Sequence, residues 1–176
     1  VINAWGRTGT MFATEHWGIK PDITTSAKGL TSGYLPIGVT IASPKIASAF
    51  NKDEASTFSH LITFGGNPAS CAAAMANLDI MENENMLENS TNMGTYLYEQ
   101  LQTLMVHPIV GDVRGGLGLL AAIELVKDKA TKEKLDPKVI RKMQESMVKH
   151  KLLGRATDFI PISPPLCVNK DEIDHF

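Results

Sequence analysis

The 176 residues suffice for one domain or slightly more, and 43% hydrophobic against 20% charged residues is globular composition rather than that of a disordered chain. A formal net charge of -2 argues against nucleic acid as the main partner, because phosphate backbones call for a basic face. No apolar run reaches the roughly 18 residues that a membrane span requires.

In chain order, Asp22 to Ser26 (DITTS) and Gly38 to Ala42 (GVTIA) are short β-rich runs, each followed by a turn or a helix cap. Three helix starts share one chemistry, a capping side chain followed by proline: Ser43-Pro44, Asn67-Pro68 and Asp136-Pro137. Proline lacks the N–H that a first turn would leave unbonded, and the capping oxygen takes one that remains. From Pro68, Ala69, Ala72, Ala73, Ala76 and Leu78 to Met81 predict a small-residue helix suited to close packing. Beyond the polar stretch Glu82 to Asn85, the spacing of Met93, Leu97, Leu101 and Leu104 continues a helical stripe.

Ile109 to Arg114 and Leu119 to Val126 flank the turn Gly115-Gly116-Leu117-Gly118 and predict a hairpin, with Arg114 expected to brace the turn. Lys127 to Lys134 (KDKATKEK) reads as a solvated loop. The helix from Pro137 sets Ile140, Met143 and Met147 on one face and ends in Lys149, His150 and Lys151, where positive charge suits the dipole. Leu152 to Arg155 and Phe159 to Ser163 predict two further strands, and Asn169 with Glu172 forms a capping box. This order implies an α/β protein: the end of an α/β layer, then a smaller α+β unit. A chain that opens at Val1 and closes at Phe176 inside a helix reads as a fragment.

Cys71 and Cys167 lie far apart and outside any CxxC pattern, so reduced, buried thiols of an intracellular, cytoplasmic protein are expected. The five histidines show no ligand spacing, and no metal site is expected.

Lys28 is the candidate for chemistry, although taken alone a lysine beside glycine reads as a surface residue. In Asp22-Ile-Thr-Thr-Ser-Ala-Lys28-Gly-Leu-Thr-Ser-Gly33 a short strand delivers a lysine to its end, and small residues follow at once. A Schiff-base lysine needs this, an amine on a rigid element that is free to swing. Upstream stand Trp5-Gly-Arg-Thr-Gly9 and Glu15-His-Trp-Gly-Ile-Lys-Pro-Asp22, and downstream Gly33-Tyr-Leu-Pro-Ile-Gly38. The whole stretch closely resembles the signature of class III aminotransferases, fold type I pyridoxal-phosphate (PLP) enzymes acting mainly on ω-amino groups. The resemblance extends through His60-Leu-Ile-Thr-Phe-Gly-Gly-Asn-Pro68, Val113 to Gly118, Ile123 to Asp128 and Phe159 to Leu166, essentially the entire chain.

The resemblance implies a division: residues 1–85 as the C-terminal part of the large PLP-binding domain, and 86–176 as connecting helix and small α+β domain. It implies that Lys28 bears the cofactor. Thr63 would bond the PLP phosphate of the neighbouring subunit with the Ile62 N–H as co-donor, in a homodimer with shared active sites. Arg155 stands where ω-transaminases place a mobile arginine that pairs with the substrate carboxylate. The activity implied is transfer of an amino group from an amine or ω-amino acid to a keto acid such as pyruvate. An aminomutase, a decarboxylating transaminase or a non-catalytic structural piece are the alternatives. The family's pyridine-binding aspartate and glycine-rich phosphate loop precede Val1, so this chain by itself is expected to be inactive.

Overall fold

In the computed structural model, which describes residues 1–176, the buried residues gather into two cores. Ala4, Trp5, Leu30, Ala74 and Met81 form the smaller one. The larger joins twelve residues, among them Leu97, Leu101, Val113, Leu119, Ile123, Leu125 and Ile173. Leu166 packs against both.

β1 (Ile23–Ser26) and β2 (Val39–Ala42) pair as an antiparallel ribbon, with Ile23 opposite Ala42 and Ser26 opposite Val39. Of these eight residues only Ser26 is buried. α1 (Pro44–Ala47) follows at once, but Ser43 does not cap it; its hydroxyl donates to Asp22 Oδ1 at 3.0 Å. α2 (Pro68–Asn83) is capped as expected, Asn67 Oδ1 accepting the Ser70 N–H at 3.1 Å. Its buried stripe is Ser70, Ala74 and Met81. At 100° per residue the predicted small-residue face lies elsewhere on the cylinder, and Ala69, Ala72 and Ala76 are exposed. Asn85, in left-handed conformation (φ 51°), breaks the helical run, and α3 (Met86–Gln102) starts anew. Leu97 and Leu101 of α3 are buried, with Met93 and Leu104 packed beside them.

The hairpin forms as predicted. β3 (Val110–Arg114), β4 (Ala121–Leu125) and β5 (Phe159–Ile162) make an antiparallel sheet in the order β3-β4-β5. On β4, buried Ala121, Ile123 and Leu125 alternate with half-buried Ala122 and Glu124, which sets one face of the sheet on α3. Arg114 does not brace the turn: it pairs along the strands with Asp112 (3.6 Å) and Glu124 (4.0 Å). The 127–134 loop is exposed and laced by Lys127–Glu133 and Lys132–Glu124 ion pairs, both at 2.6 Å.

α4 (Pro137–Lys149) is capped by Asp136 Oδ1, which accepts the Lys138 N–H at 2.8 Å. The strand expected at Leu152 to Arg155 is absent. Lys151 turns left-handed (φ 62°), and Gln144 then occupies the backbone groups that a strand would pair: its amide donates to Gly154 O at 3.0 Å and accepts from Ala156 N at 2.8 Å. α5 (Lys170–Asp174) carries the full capping box, Asn169 Oδ1 with Glu172 N at 3.0 Å and Glu172 Oε2 with Asn169 N at 2.9 Å. Cys71 and Cys167 are free thiols but exposed, against the expected burial; Cys71 lies off the buried stripe of α2 and Cys167 on the stretch leading to α5. No helix is long and apolar enough to cross a membrane.

Candidate active site around Lys28

Lys28 opens a short 3-10 turn, Lys28–Thr31, two residues beyond the end of β1. Its backbone is left-handed (φ 52°), a conformation that costs a residue with a Cβ roughly 1–2 kcal/mol. Something must hold it there. The turn's own hydrogen bonds are long, Leu30 N to Ala27 O and Ser32 N to Gly29 O both at 3.3 Å. Support comes from three neighbours. Buried Trp5 donates its indole N–H to Ser26 Oγ at 2.8 Å, and its ring and Cβ lie so close to Gly29 that an added Cβ there would stand 3.3 Å from Trp5 Cβ. Asn77, from α2, donates to Gly29 O at 2.9 Å and Leu30 O at 3.1 Å. Thr31 Oγ1 closes the far side on Leu35 O at 2.6 Å.

The Lys28 side chain is exposed, and its amine is unpaired within the chain. Thr63 and Ile62 lie in the exposed loop that leads into the cap of α2, and neither the Thr63 hydroxyl nor the Ile62 N–H is bonded within the chain. A free amine at a strand end, with free hydroxyl and amide donors in a loop, is what an aldehyde and a phosphate dianion require, so these residues fit PLP. Arg155 is exposed between α4 and β5, its backbone flanked by the two Gln144 bonds.

Thr63 and Lys28 are served by different parts of α2, its start and its middle. α2 runs from the Thr63 loop to the Lys28 turn, and at 1.5 Å per residue the ten residues from Asn67 to Asn77 span roughly 15 Å. Arg155 belongs to the part of the chain built on the larger core. Sequence reasoning missed Trp5, Asn77 and Gln144. For Asn77 a signal existed: it falls on the same helical stripe as Ala74 and Met81, where a polar side chain demands a partner.

Arg7 ties the two parts together. Its guanidinium donates to Leu119 O at 2.9 Å and to Pro164 O at 2.5 Å, and burial pushes its pKa below the usual arginine value. It stays a cation.

Residues 1–176 match the family described as aminotransferase class-III. The chain is 49% identical over 147 residues to the taurine–pyruvate aminotransferase of Bilophila wadsworthia, covering 81% of this chain and 32% of that protein. Its fold follows that of a thermostable (S)-enantioselective omega-transaminase from Thermomicrobium roseum, with a TM-score of 0.93 and 40% identity over 99% of this chain and 39% of that one. An amine transaminase from an uncultivated Pseudomonas species, solved in its PLP-bound form, gives a TM-score of 0.92 at 39% identity, covering 99% and 40%. The chain thus spans no more than 40% of the length of any of these three. Sequence and backbone agree along its whole extent, and the chain belongs to the class-III aminotransferase family.

Proposed function

We propose that the protein carrying this chain is a PLP-dependent transaminase that moves an amino group from an amine or ω-amino acid to a keto acid such as pyruvate. The observation that carries the reading is the unpaired amine of Lys28, delivered by a strand end into a turn gripped from two sides. Class III aminotransferases use PLP, and the relatives above are named for transamination, one of them with pyruvate.

When bound, PLP supplies an aldehyde for an amine and a conjugated ring that accepts the electrons of a deprotonated carbon. Lys28 Nζ would anchor the cofactor through its amine and, when free, would serve as the base and acid that moves the proton of the substrate's amine-bearing carbon. Thr63 Oγ1 and the Ile62 N–H would donate to the cofactor's phosphate. Arg155 offers two parallel N–H donors to a substrate carboxylate. Borohydride reduction of the full-length protein followed by peptide mapping tests the assignment. A pyridoxyl adduct on Lys28 is expected, and an adduct on another lysine refutes it.

The phosphate bound by Thr63 is assigned to the partner of a homodimer. Support comes from the distance along α2 and from Leu61, Ile62 and Phe64, whose exposures of 95%, 62% and 82% leave an apolar loop to be covered. Mixing full-length Lys28→Ala and Thr63→Ala protomers should restore part of the activity, since one site of the heterodimer then carries both lesions and the other neither. No recovery despite subunit exchange places Thr63 in its own subunit's site. The large-domain part is assigned to residues 1–85 and the small domain to 86–176, which the separation of the two cores supports.

A further inference from the structure

We infer that Asn77 is the positioning residue for Lys28: its side-chain amide, by holding the carbonyls of Gly29 and Leu30, keeps Lys28 left-handed and so aims its amine. The inference rests on the PLP reading above. Lys28 has φ 52°, in the small left-handed region that a residue with a Cβ adopts only at some cost. The two 3.3 Å hydrogen bonds at the turn lie just beyond the usual range of about 2.7–3.2 Å and hold it weakly. Trp5 holds the residues on either side, Ser26 by a hydrogen bond and Gly29 by contact, and so fixes where the turn enters. Asn77 is the one side chain that bonds the carbonyls of Gly29 and Leu30, and it does so from the long, capped helix α2. Two carbonyl oxygens 2.9 and 3.1 Å from one nitrogen fix the amide's orientation, because its oxygen in that place would face them with no proton to share.

Rotation about the Lys28 backbone swings its Cα–Cβ bond, and every later atom of the side chain moves with it. Condensation of the amine with the cofactor aldehyde, in which nitrogen bonds to the aldehyde carbon and one water leaves as C=N forms, is sensitive to that placement. Misplacing a reacting group by about 1 Å costs on the order of a hundredfold in rate.

The molecule contains its own control. Asn89 of α3 makes the same kind of grip on two carbonyls, Leu166 O at 2.6 Å and Val168 O at 3.1 Å, away from Lys28.

The test uses the full-length apoprotein and two ligands. PLP must condense with the lysine, whereas pyridoxamine 5'-phosphate has no aldehyde and binds without it. Asn77→Ala and the isosteric Asn77→Asp should slow formation of the PLP chromophore about ten- to a hundredfold, with pyridoxamine phosphate affinity within about twofold of the unaltered protein. Asn89→Ala should lower the unfolding midpoint comparably and leave the condensation rate unchanged. Condensation at the original rate in both Asn77 variants overturns the proposal. So does a parallel loss of both ligands, which would mark a collapsed site, or an equal slowing in Asn89→Ala. Failure of the underlying reading shows separately, as the absence of a Lys28 adduct in the unaltered protein after borohydride, and removes this proposal with it.

Discussion

Gly94 of α3 and Gly118 at the end of the hairpin turn lie in direct backbone contact: a Cβ on Gly94 would stand 2.2 Å from the carbonyl oxygen of Gly118. Gly118 in turn lies against the N-terminal loop, where its own Cβ would meet Thr8 C at 2.5 Å and Arg7 O at 2.6 Å. It is also left-handed (φ 56°). Backbone atoms on both sides cannot give way as a side chain could. Gly118→Ala should therefore cost about 3 kcal/mol or more, from overpacking and strain together. A urea unfolding midpoint of the full-length variant within error of the original would contradict this.

Arg7→Ala should destabilise by about 3 kcal/mol, since it leaves two carbonyls without a charged donor. Arg7→Lys keeps the charge but loses the planar fork, so it should recover only part. Thermal unfolding of the full-length protein measures both; a lysine variant as stable as the original would show that charge alone suffices.

Asp174 accepts a hydrogen bond from Tyr96 and one from Lys170 at 2.9 Å, and these, Tyr96 first, hold its carboxyl below the ordinary carboxylate value. A carboxyl depressed in the folded state stabilises at pH above its unfolded value of about 3.9 and loses that contribution as pH falls through the folded value. Tyr96→Phe should move the Asp174 midpoint upward in an NMR titration. An unmoved midpoint would assign the depression to Lys170 instead.

Arg155→Ala in the full-length protein should reduce kcat/KM for pyruvate about ten- to a hundredfold, the loss of one charge-assisted hydrogen bond, and barely change that for an amine without a carboxylate. Gln144→Ala should reproduce a fraction of this selective loss, because Gln144 bonds the residues on either side of Arg155. Equal losses for both substrate types would mean that Arg155 supports the loop instead.

Local rules carried much of the fold. Proline after a capping residue placed three helix starts, and the β4 alternation placed the hairpin face. Ser43 lost its capping role because Asp22, 21 residues earlier, offers its hydroxyl a carboxylate. The strand expected at Leu152 failed for a similar reason, a Gln144 side chain that no periodicity reveals. At the candidate site, the place of Lys28 just past a strand end was legible from the residues around it. The supports from Trp5 and Asn77 were not, since they are long-range contacts made after the chain has folded back on itself.

Arg7 leaves the ribosome 157 residues ahead of Pro164 and 112 ahead of Leu119. At about 5–20 residues per second, the wait for Pro164 is roughly 8–30 s. Trp5 has its partner Ser26 only 21 residues later, so one side of the same loop can dock early while the guanidinium beside it stays in water. The segment around Trp5 and Arg7 is thus docked in part soon after it is made and fully seated only once Pro164 has followed.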